Sequence, residues 1–262
     1  MARVTCSQYG ETLGSWLHVG SAQSVHAFEP MVRATEQMLS LKSHQLARTG
    51  WRLDGGFGTD ANINWLLART GQLVIKGYNA TRAAAVARRR EASDWLEIGP
   101  ERWVALEPNG VRYGRRTQSL VLHWLGEKRT NHYALLIHTL LDRPMPEVVH
   151  FYDARAQQEV QIRQDKTGLQ LTRRRKRAWQ AQEAWVVLND LAHNLLAWTR
   201  DWMWHGSRFE GYGCLRLVQD VLNVSGHLVF KGDKLQKVAL CRSDPFAPEV
   251  AECLTRLLTE LR

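Results

Sequence analysis

The chain has 262 residues, which suits one domain or one domain with an insertion, and 44% of them are apolar, which excludes wholesale disorder. No apolar run reaches the ~18 residues of a membrane span, the first ten residues lack a signal-peptide core, and the four cysteines form no close pair typical of a zinc site or disulfide frame. The formal charge is +9, and the basic residues are 27 arginines and 8 lysines. Because arginine favours bidentate contacts with phosphate, nucleic acid is one expected partner. A basic surface without a binding function is an equally weighted alternative.

Residues 1–92 alternate between strand and helix patterns. Glycines at 55, 56 and 58 interrupt the chain after one of the strands. The predicted elements are a strand and turn at 13–20, a helix at 24–41, strands at 50–53 and 73–75, and helices at 61–69 and 81–90. This alternation predicts a small α/β sheet.

The pattern changes to short strands near residue 93. Strands are predicted at 103–106, 111–113, 119–125 and 132–141, and Asn109-Gly110 is a strong hairpin signal. We interpret 93–150 as a β-rich insertion in the α/β domain.

Helical patterns return after Pro146. Helices are predicted at 152–164, 178–204 and 248–261, with a hairpin at 226–241. Apolar residues recur at helical spacing in the long second helix, and we expect this stripe to face a core: Trp185, Leu188, Leu191, Ala192, Leu195 and Trp198.

The sharpest local pattern is Y-x2-R-x3-E-x6-K in the stretch FYDARAQQEVQIRQDKTGL, formed by Tyr152, Arg155, Glu159 and Lys166. Steps of three, four and seven residues place them along one helical face, and Arg163 lies four residues beyond Glu159. A carboxylate flanked by cations suits a metal-bound phosphate, with Glu159 as metal ligand and the cations on DNA phosphates. An ordinary surface helix with Glu/Arg pairing carries equal weight on spacing alone.

A second pattern is Asp54 in RLDGGFG. An aspartate that ends a strand and precedes glycines places a carboxylate at the C-terminal edge of a sheet, where glycines let another backbone approach. The alternative is a plain strand-to-helix turn, for which Asp and Gly are typical.

Together the two patterns resemble the DDE-type transposases of bacterial insertion sequences that carry the Y-R-E-K signature. The stretches GETLGSWLHVGS and QAQEAWVVLNDLAHNLLAW resemble the edge strand of that family's core and the helix after its glutamate. The resemblance covers roughly residues 8–225. It implies an α/β, ribonuclease H-like fold with a β-rich insertion between the second aspartate and the glutamate helix, in a bacterial cytoplasmic protein.

The resemblance also implies roles for these residues. Two Mg²⁺ ions held by two aspartates and a glutamate would drive phosphoryl transfer at transposon ends, with Asp54 and Glu159 as the catalytic metal ligands in this chain. Tyr152, Arg155 and Lys166 would bind DNA phosphates near the transposon end.

A basic run adjoins the signature: Arg173, Arg174, Arg175, Lys176 and Arg177. A solvated charge cluster is the alternative, but next to a DNA-facing helix we favour contacts to the DNA backbone.

Aromatic residues of the β-rich segment have two interpretations. In the family an aromatic residue there stacks on a displaced base, for which Trp124 and Trp103 are candidates, although we favour core packing for both. The histidines His123, His132 and His138 lie in predicted strands without metal-ligand spacing, and we expect structural roles for them.

The chain departs from the family at the first catalytic aspartate. No aspartate precedes Asp54, and the only earlier acids are Glu11, Glu29 and Glu36. None of these falls at the end of a predicted central strand. We therefore expect an incomplete core whose first strand is missing, and a chain without catalytic activity of its own.

The expected division has four parts: 1–92 as partial core, 93–150 as insertion, 151–225 as the C-terminal helices with the signature, and 226–262 as hairpin and terminal helix. Four functions compete: an inactive transposase fragment; a subunit completed by a second polypeptide or a frameshift; a non-catalytic DNA-binding protein derived from a transposase; and an unrelated α/β protein. DNA is the expected partner, a homodimer on DNA is left open, and no membrane or small-molecule substrate is expected.

One geometric expectation follows from the assigned roles. Carboxylates that hold two bridged metal ions should have Cα atoms within roughly 10 Å of each other. Asp54 and Glu159 should therefore converge at one end of the sheet.

Overall fold

The computed structural model describes residues 1–19, 24–173 and 177–260. The chain forms two compact units. We call Met1–Leu17 together with Gln158–Arg262 the helical unit, and His18–Gln157 the sheet unit.

The elements are numbered in chain order. The strands are β1 (Ala2–Cys6), β2 (Glu11–Trp16), β3 (Gly50–Leu53), β4 (Gln72–Lys76), β5 (Leu96–Gly99), β6 (Arg102–Glu107), β7 (Gln118–Leu125), β8 (Asn131–His138), β9 (Gly226–Lys231) and β10 (Lys234–Leu240). The α-helices are α1 (Ser24–Met38), α2 (Ser43–Leu46), α3 (Asp60–Leu67), α4 (Ala80–Ala87), α5 (Met145–Asp153), α6 (Ala156–Gly168), α7 (Trp179–Thr199), α8 (Cys214–Arg216) and α9 (Ala247–Glu260). Short 3-10 or π turns lie at Gly55–Phe57, Ala92–Asp94, Glu127–Arg129, Arg200–Trp204, Arg208–Gly211 and Leu217–Val221. Across the described ranges, no helix is both long and apolar enough to cross a membrane.

One mixed sheet of six strands, in the order β3-β4-β8-β7-β6-β5, organises the sheet unit. β3 and β4 run parallel, and the other neighbours are antiparallel. Leu73, Val74 and Ile75 of β4 are all buried, which is the pattern of a strand covered on both faces. On one face α5 packs Val148 and Val149 against alternate residues of β6, β7 and β8.

The β-rich segment contains strands β5 to β8, and these strands continue the same sheet that β3 and β4 begin. The predicted strand at 111–113 is wrong, because this stretch forms the connection between β6 and β7. The Tyr113 hydroxyl donates to Asp60 Oδ1 at 2.6 Å, and the Gly114 amide donates to Asn64 Oδ1 at 2.8 Å. Side chains of α3 therefore hold the segment that would otherwise pair as a strand.

Two strands were not predicted: β5, and β1 at the start of the chain. In the helical unit β1 pairs with β2 as an antiparallel hairpin. A separate apolar cluster of this unit includes Trp204, Phe209 and Leu217, with Val250 and Cys253 from α9.

A set of four charges, three of them buried and one partly buried, joins the β1–β2 hairpin to helices α6 and α7. We call Arg3, Asp165, Asp190 and His193 the charge quartet. Arg3 donates to Asp165 and, at 2.9 Å, to Asp190, while His193 Nδ1 lies 2.9 Å from Asp165 Oδ1. His193 Nε2 lies 3.0 Å from the carbonyl oxygen of Gly10, which cannot donate, so both ring nitrogens face acceptors and the cationic form satisfies both. Two cations then balance two carboxylates.

The surroundings of His193 and Asp190 shift the pKa values of these two groups. Burial lowers the pKa of His193, but the hydrogen bond and negative charge of Asp165 outweigh it, so the pKa lies above the ordinary 6.5. Burial raises the pKa of Asp190, and Arg3 and Ser15 partly offset that effect. Because the pKa of His193 is higher in the folded protein than in the unfolded chain, protonated His193 stabilises the fold. This contribution is complete below about pH 6.5 and is lost as the pH rises through the pKa of the folded state.

The long helix α7 buries a different face from the predicted one. Leu188 and Leu191 of the apolar stripe are 57% and 50% exposed, whereas Asn189 and Asp190 are buried. Asn194 accepts from the Thr12 amide at 2.8 Å and donates to its carbonyl at 2.9 Å. The expectation that the apolar stripe faces a core was wrong, because hydrogen bonds to the β1–β2 hairpin and α6 bury the polar face instead.

We predict that Asp165→Asn lowers the free energy of unfolding by about 3–5 kcal/mol, because Arg3 and His193 then lose a buried counter-charge. The loss should be larger at about pH 6 than at about pH 8.5, since only the carboxylate supports the cationic His193. Urea unfolding at both pH values measures it, with exposed Asp201→Asn as the matched control. Equal losses in the two variants would contradict a stabilising quartet.

Candidate nucleic-acid interface

Asp54 follows directly after β3 and begins the turn Gly55–Phe57 by accepting the Gly55 amide hydrogen at 2.7 Å. Its side chain is 52% exposed, so the carboxylate is available to a ligand. Of the three glycines here, Gly58 has a packing reason: a Cβ at this position would lie 2.0 Å from the Lys76 carbonyl oxygen. Glycine at 58 therefore lets the turn close against the end of β4.

The signature does not lie on one helix. α5 ends at Asp153 and α6 begins at Ala156, so Tyr152 belongs to α5 and Arg155 to the turn between the helices. The Phe151 carbonyl, which would accept the Arg155 amide in a continuous helix, instead accepts from Arg52 Nη1 at 2.7 Å. The Arg155 amide donates instead to the Tyr152 carbonyl oxygen at 3.0 Å, so this hydrogen bond joins residues three apart where a continuous helix would join residues four apart. The predicted single helical face for the four signature residues is therefore wrong.

The turn brings the first half of the signature to the strand-end aspartate. Arg155 Nη2 lies 3.8 Å from Asp54 Oδ1, and the Arg155 guanidinium lies 5.5 Å from the centre of the Tyr152 ring. Burial raises the pKa of Tyr152 to about 12, Arg155 partly offsets this and Asp54 adds to it, so the phenol stays neutral at ordinary pH. The buried ring of Tyr152 thus supports the Arg155 guanidinium, which lies beside the Asp54 carboxylate.

Two further cations, Arg52 and Lys76, lie on the two strands next to Asp54, and neither belongs to a pattern singled out from the sequence. Arg52 precedes Asp54 by two residues, and burial followed by the charge of Arg155 lowers its pKa. The β3–β4 register pairs Leu53 with Ile75, so Lys76 is the next residue on the strand beside Asp54. A basic residue in the last two positions of each of two adjacent parallel strands is the sequence signal that could have found this group.

The second half of the signature lies on the exposed face of α6. Glu159, Arg163 and Lys166 are exposed, whereas Gln158 donates to the Arg3 carbonyl at 2.9 Å and Asp165 belongs to the charge quartet. One face of α6 is therefore fixed against the hairpin, and the acidic and basic residues of the signature face outward. Asp54 belongs to the sheet unit and Glu159 to the helical unit, so their convergence remains a prediction.

The basic run lies partly within the described residues. Arg173 and Arg177 are exposed, and Arg173 Nη1 lies 3.4 Å from Gln170 Oε1. Arg174, Arg175 and Lys176 lie outside the described residues, so their assignment to DNA contacts stays a prediction.

The candidate stacking aromatics form ladders across strands β6, β7 and β8. Trp103 and Tyr133 flank the His123 ring at 5.0 and 4.9 Å, and Trp124 stacks on His132 at 5.5 Å. Lys76 Nζ lies 5.9 Å from the Trp124 ring centre. Each tryptophan thus already packs against a neighbouring ring, and stacking on a displaced base remains a prediction.

The described ranges contain no group of three or more His, Cys, Asp or Glu residues arranged to hold a metal ion. The neighbours found around Asp54 are cations, with Arg155 the nearest of them. This donor set suits a phosphate that bridges cations better than it suits Mg²⁺, which prefers several oxygen ligands. The residues around Asp54 therefore do not by themselves form a two-metal site.

We predict that Arg52→Met lowers the free energy of unfolding by about 1–2 kcal/mol, because the Phe151 carbonyl loses its charged donor and the Phe151 ring loses a cation 5.1 Å away. Urea denaturation measures the change. Arg48→Met, at an exposed arginine near the same strand, should stay within about 0.5 kcal/mol of the unaltered protein. A similar loss in both variants would show that Arg52 does not hold the turn.

The family model described as transposase DDE domain group 1 matches residues 15–261. No curated protein matches the chain. The match spans both units and includes Asp54 as well as the whole Y-R-E-K signature. The chain therefore belongs to the transposase DDE domain group 1 family.

Proposed function

We propose that this chain is the DNA-binding part of a transposase catalytic domain, and that it holds the phosphate backbone at the C-terminal end of β3. The observation that carries the proposal is the approach of Arg155 to Asp54 over the Tyr152 ring. The family implies a role in DNA transposition, and DNA as the partner.

The described side chains at the C-terminal end of β3 support the binding of a DNA phosphate there. Arg155 presents a planar fork that suits bidentate contact with a phosphate, and it is oriented by the ring below and the carboxylate beside it. Lys76 and Arg52 add positive charge at the same strand ends. A backbone phosphate bound here would sit beside the exposed Asp54 carboxylate, where the scissile bond is expected in a DDE domain.

The finer fold assignment belongs to the same proposal. A parallel strand pair, an aspartate at the end of its first strand and a later glutamate helix agree with a ribonuclease H-like core, and β5 to β8 would then be the insertion. In the described part of the chain β3 has a strand partner only on its β4 side. In a ribonuclease H-like core the strand that carries the first aspartate would pair with this other edge.

Asp54 and Glu159 are proposed as two of the carboxylates that would hold divalent metal, which the family generally uses. Magnesium would supply charge stabilisation for phosphoryl transfer when bound. A complete two-metal site needs a further carboxylate, and no aspartate precedes Asp54 in the sequence. We therefore propose that the chain binds DNA but does not cut it alone. A non-catalytic DNA-binding protein derived from a transposase is the second candidate, favoured by the same cationic surroundings of Asp54.

We predict salt-sensitive binding to duplex DNA of any sequence, measured by fluorescence anisotropy between about 50 and 200 mM salt. Arg155→Ala should lower the affinity by about tenfold and reduce the slope of log K against log salt by about 0.9, the value for one phosphate contact. Arg143→Ala removes another exposed arginine, which pairs with Glu147, and should change neither quantity. Binding by the unaltered protein that ignores salt would refute the proposal.

We also predict that the purified chain does not nick a supercoiled plasmid in the presence of Mg²⁺, even when the plasmid carries the transposon ends. A chain with two of the three required carboxylates should lose phosphoryl transfer by orders of magnitude. Gel electrophoresis of the plasmid measures cleavage, with Glu159→Ala as the control. Nicking that disappears in Glu159→Ala would show that the site is complete and that a carboxylate has been overlooked.

A further inference from the structure

The hairpin formed by β9 and β10 is exposed along nearly its whole length. Every residue of β9 is exposed, and so are the first four of β10. Leu228 and Phe230, both large and apolar, are 60% and 56% exposed. A two-stranded ribbon of this kind is marginally stable in water on its own, and an exposed apolar patch on a protein surface often marks an interaction site.

The strand register sorts the side chains of this hairpin onto two different faces. Lys231 pairs with Lys234, and Val229 pairs with Lys237, so these residues share one face. Phe230 pairs with Leu235, and Leu228 pairs with Val238, on the opposite face. The irregularity between Leu235 and Lys237 makes this division possible, because it keeps Lys237 on the side of Lys231 and Lys234. One face is thus lysine-rich and the other is apolar.

The lysine face is electrostatically unsatisfied. Lys231 and Lys234 lie directly opposite each other, an arrangement that costs free energy when no anion is present. Within the described ranges none of the three lysines forms an ion pair with a carboxylate. The only acid in the hairpin is Asp233 in the turn. A polyanion along this face would remove the repulsion.

We propose that the lysine face of the β9–β10 hairpin, formed by Lys231, Lys234 and Lys237, is a second DNA-contacting surface that binds backbone phosphates. The proposal rests on the proposed function only in taking DNA as the polyanion. Lys237 lies two rungs from the Lys231–Lys234 pair, about 7 Å along the ribbon. That distance is about twice the 3.4 Å axial spacing of phosphates on one strand of a duplex, so the lysines can reach separate phosphates.

The shape of the hairpin also fits a duplex better than a small anion. Its two strands are joined by a tight turn in which Gly232 has φ of +58°, so the ribbon stays narrow at the tip. The DNA major groove admits a two-stranded β-ribbon. With the tip pair Lys231 and Lys234 at the groove edge, phosphates on the groove wall are within reach of both ammonium groups.

The test compares two triple variants that remove the same amount of charge. Lys231→Ala, Lys234→Ala and Lys237→Ala are combined in the hairpin variant, and Lys42→Ala, Arg48→Ala and Lys128→Ala, all exposed residues elsewhere, in the control. The probe is a ~30-base-pair duplex of arbitrary sequence, and its affinity is measured from ~50 to ~200 mM salt. The hairpin variant should lose at least about tenfold in affinity at low salt, and its salt slope should fall by about 2 to 3, while the control changes by less than about threefold.

Several outcomes would overturn this inference. Equal losses in the two variants would show that only total charge matters, and unchanged binding in the hairpin variant would remove the surface from the interface. A third variant, Leu228→Thr with Phe230→Thr and Leu235→Thr, tests the apolar face. If it dissociates an oligomer while the lysine variant binds DNA normally, the hairpin is a protein interface instead. If the unaltered chain does not bind the duplex at all, the proposed function itself fails, which is a different result from loss in the hairpin variant alone.

Discussion

The charge quartet determines which face of α6 is exposed. Arg3 and His193 balance Asp165 and Asp190, so each ion has a partner where an isolated charge would be too costly to bury. Because Asp165 lies on α6, this pairing fixes which face of the helix points at the β1–β2 hairpin. The exposed positions of Glu159 and of the cations that follow it are the consequence. The quartet also explains why α7 buries its polar face, since two of the four charges come from that helix.

In the sheet unit, one hydrogen bond to the Phe151 carbonyl determines where Arg155 lies. Arg52 takes the Phe151 carbonyl that a continuous helix would have used, and the chain tightens by one residue before α6 begins. Arg155 then lies over the Tyr152 ring and beside Asp54 instead of continuing a helical face. The main-chain break thus brings Arg155 to the carboxylate at the end of β3.

The candidate site residues of the two units have one property in common: cations outnumber acids both around Asp54 and along the exposed face of α6. A group of several cations that contains one carboxylate binds a phosphate more readily than it binds a bare divalent ion. The lysine face of the β9–β10 hairpin places further cations in a part of the chain that lies outside the Y-x2-R-x3-E-x6-K pattern. DNA binding is accordingly better supported by the described residues than phosphoryl transfer, which needs more carboxylate ligands than they bring together.

The sequence by itself determined the strand Gly50–Leu53, the aspartate after it, the β9–β10 hairpin and the family, because period, turn residues and motif spacing are local properties of the chain. It failed where distant residues compete with local preference. The Tyr152 helix was predicted as continuous because nothing near it breaks a helix; the break comes from Arg52, about a hundred residues earlier. The apolar stripe of α7 was assigned to a core because hydrophobicity ranks faces by transfer free energy. Only the tertiary structure showed that Arg3 and Thr12 satisfy the polar face, and a satisfied polar group can be buried at little cost.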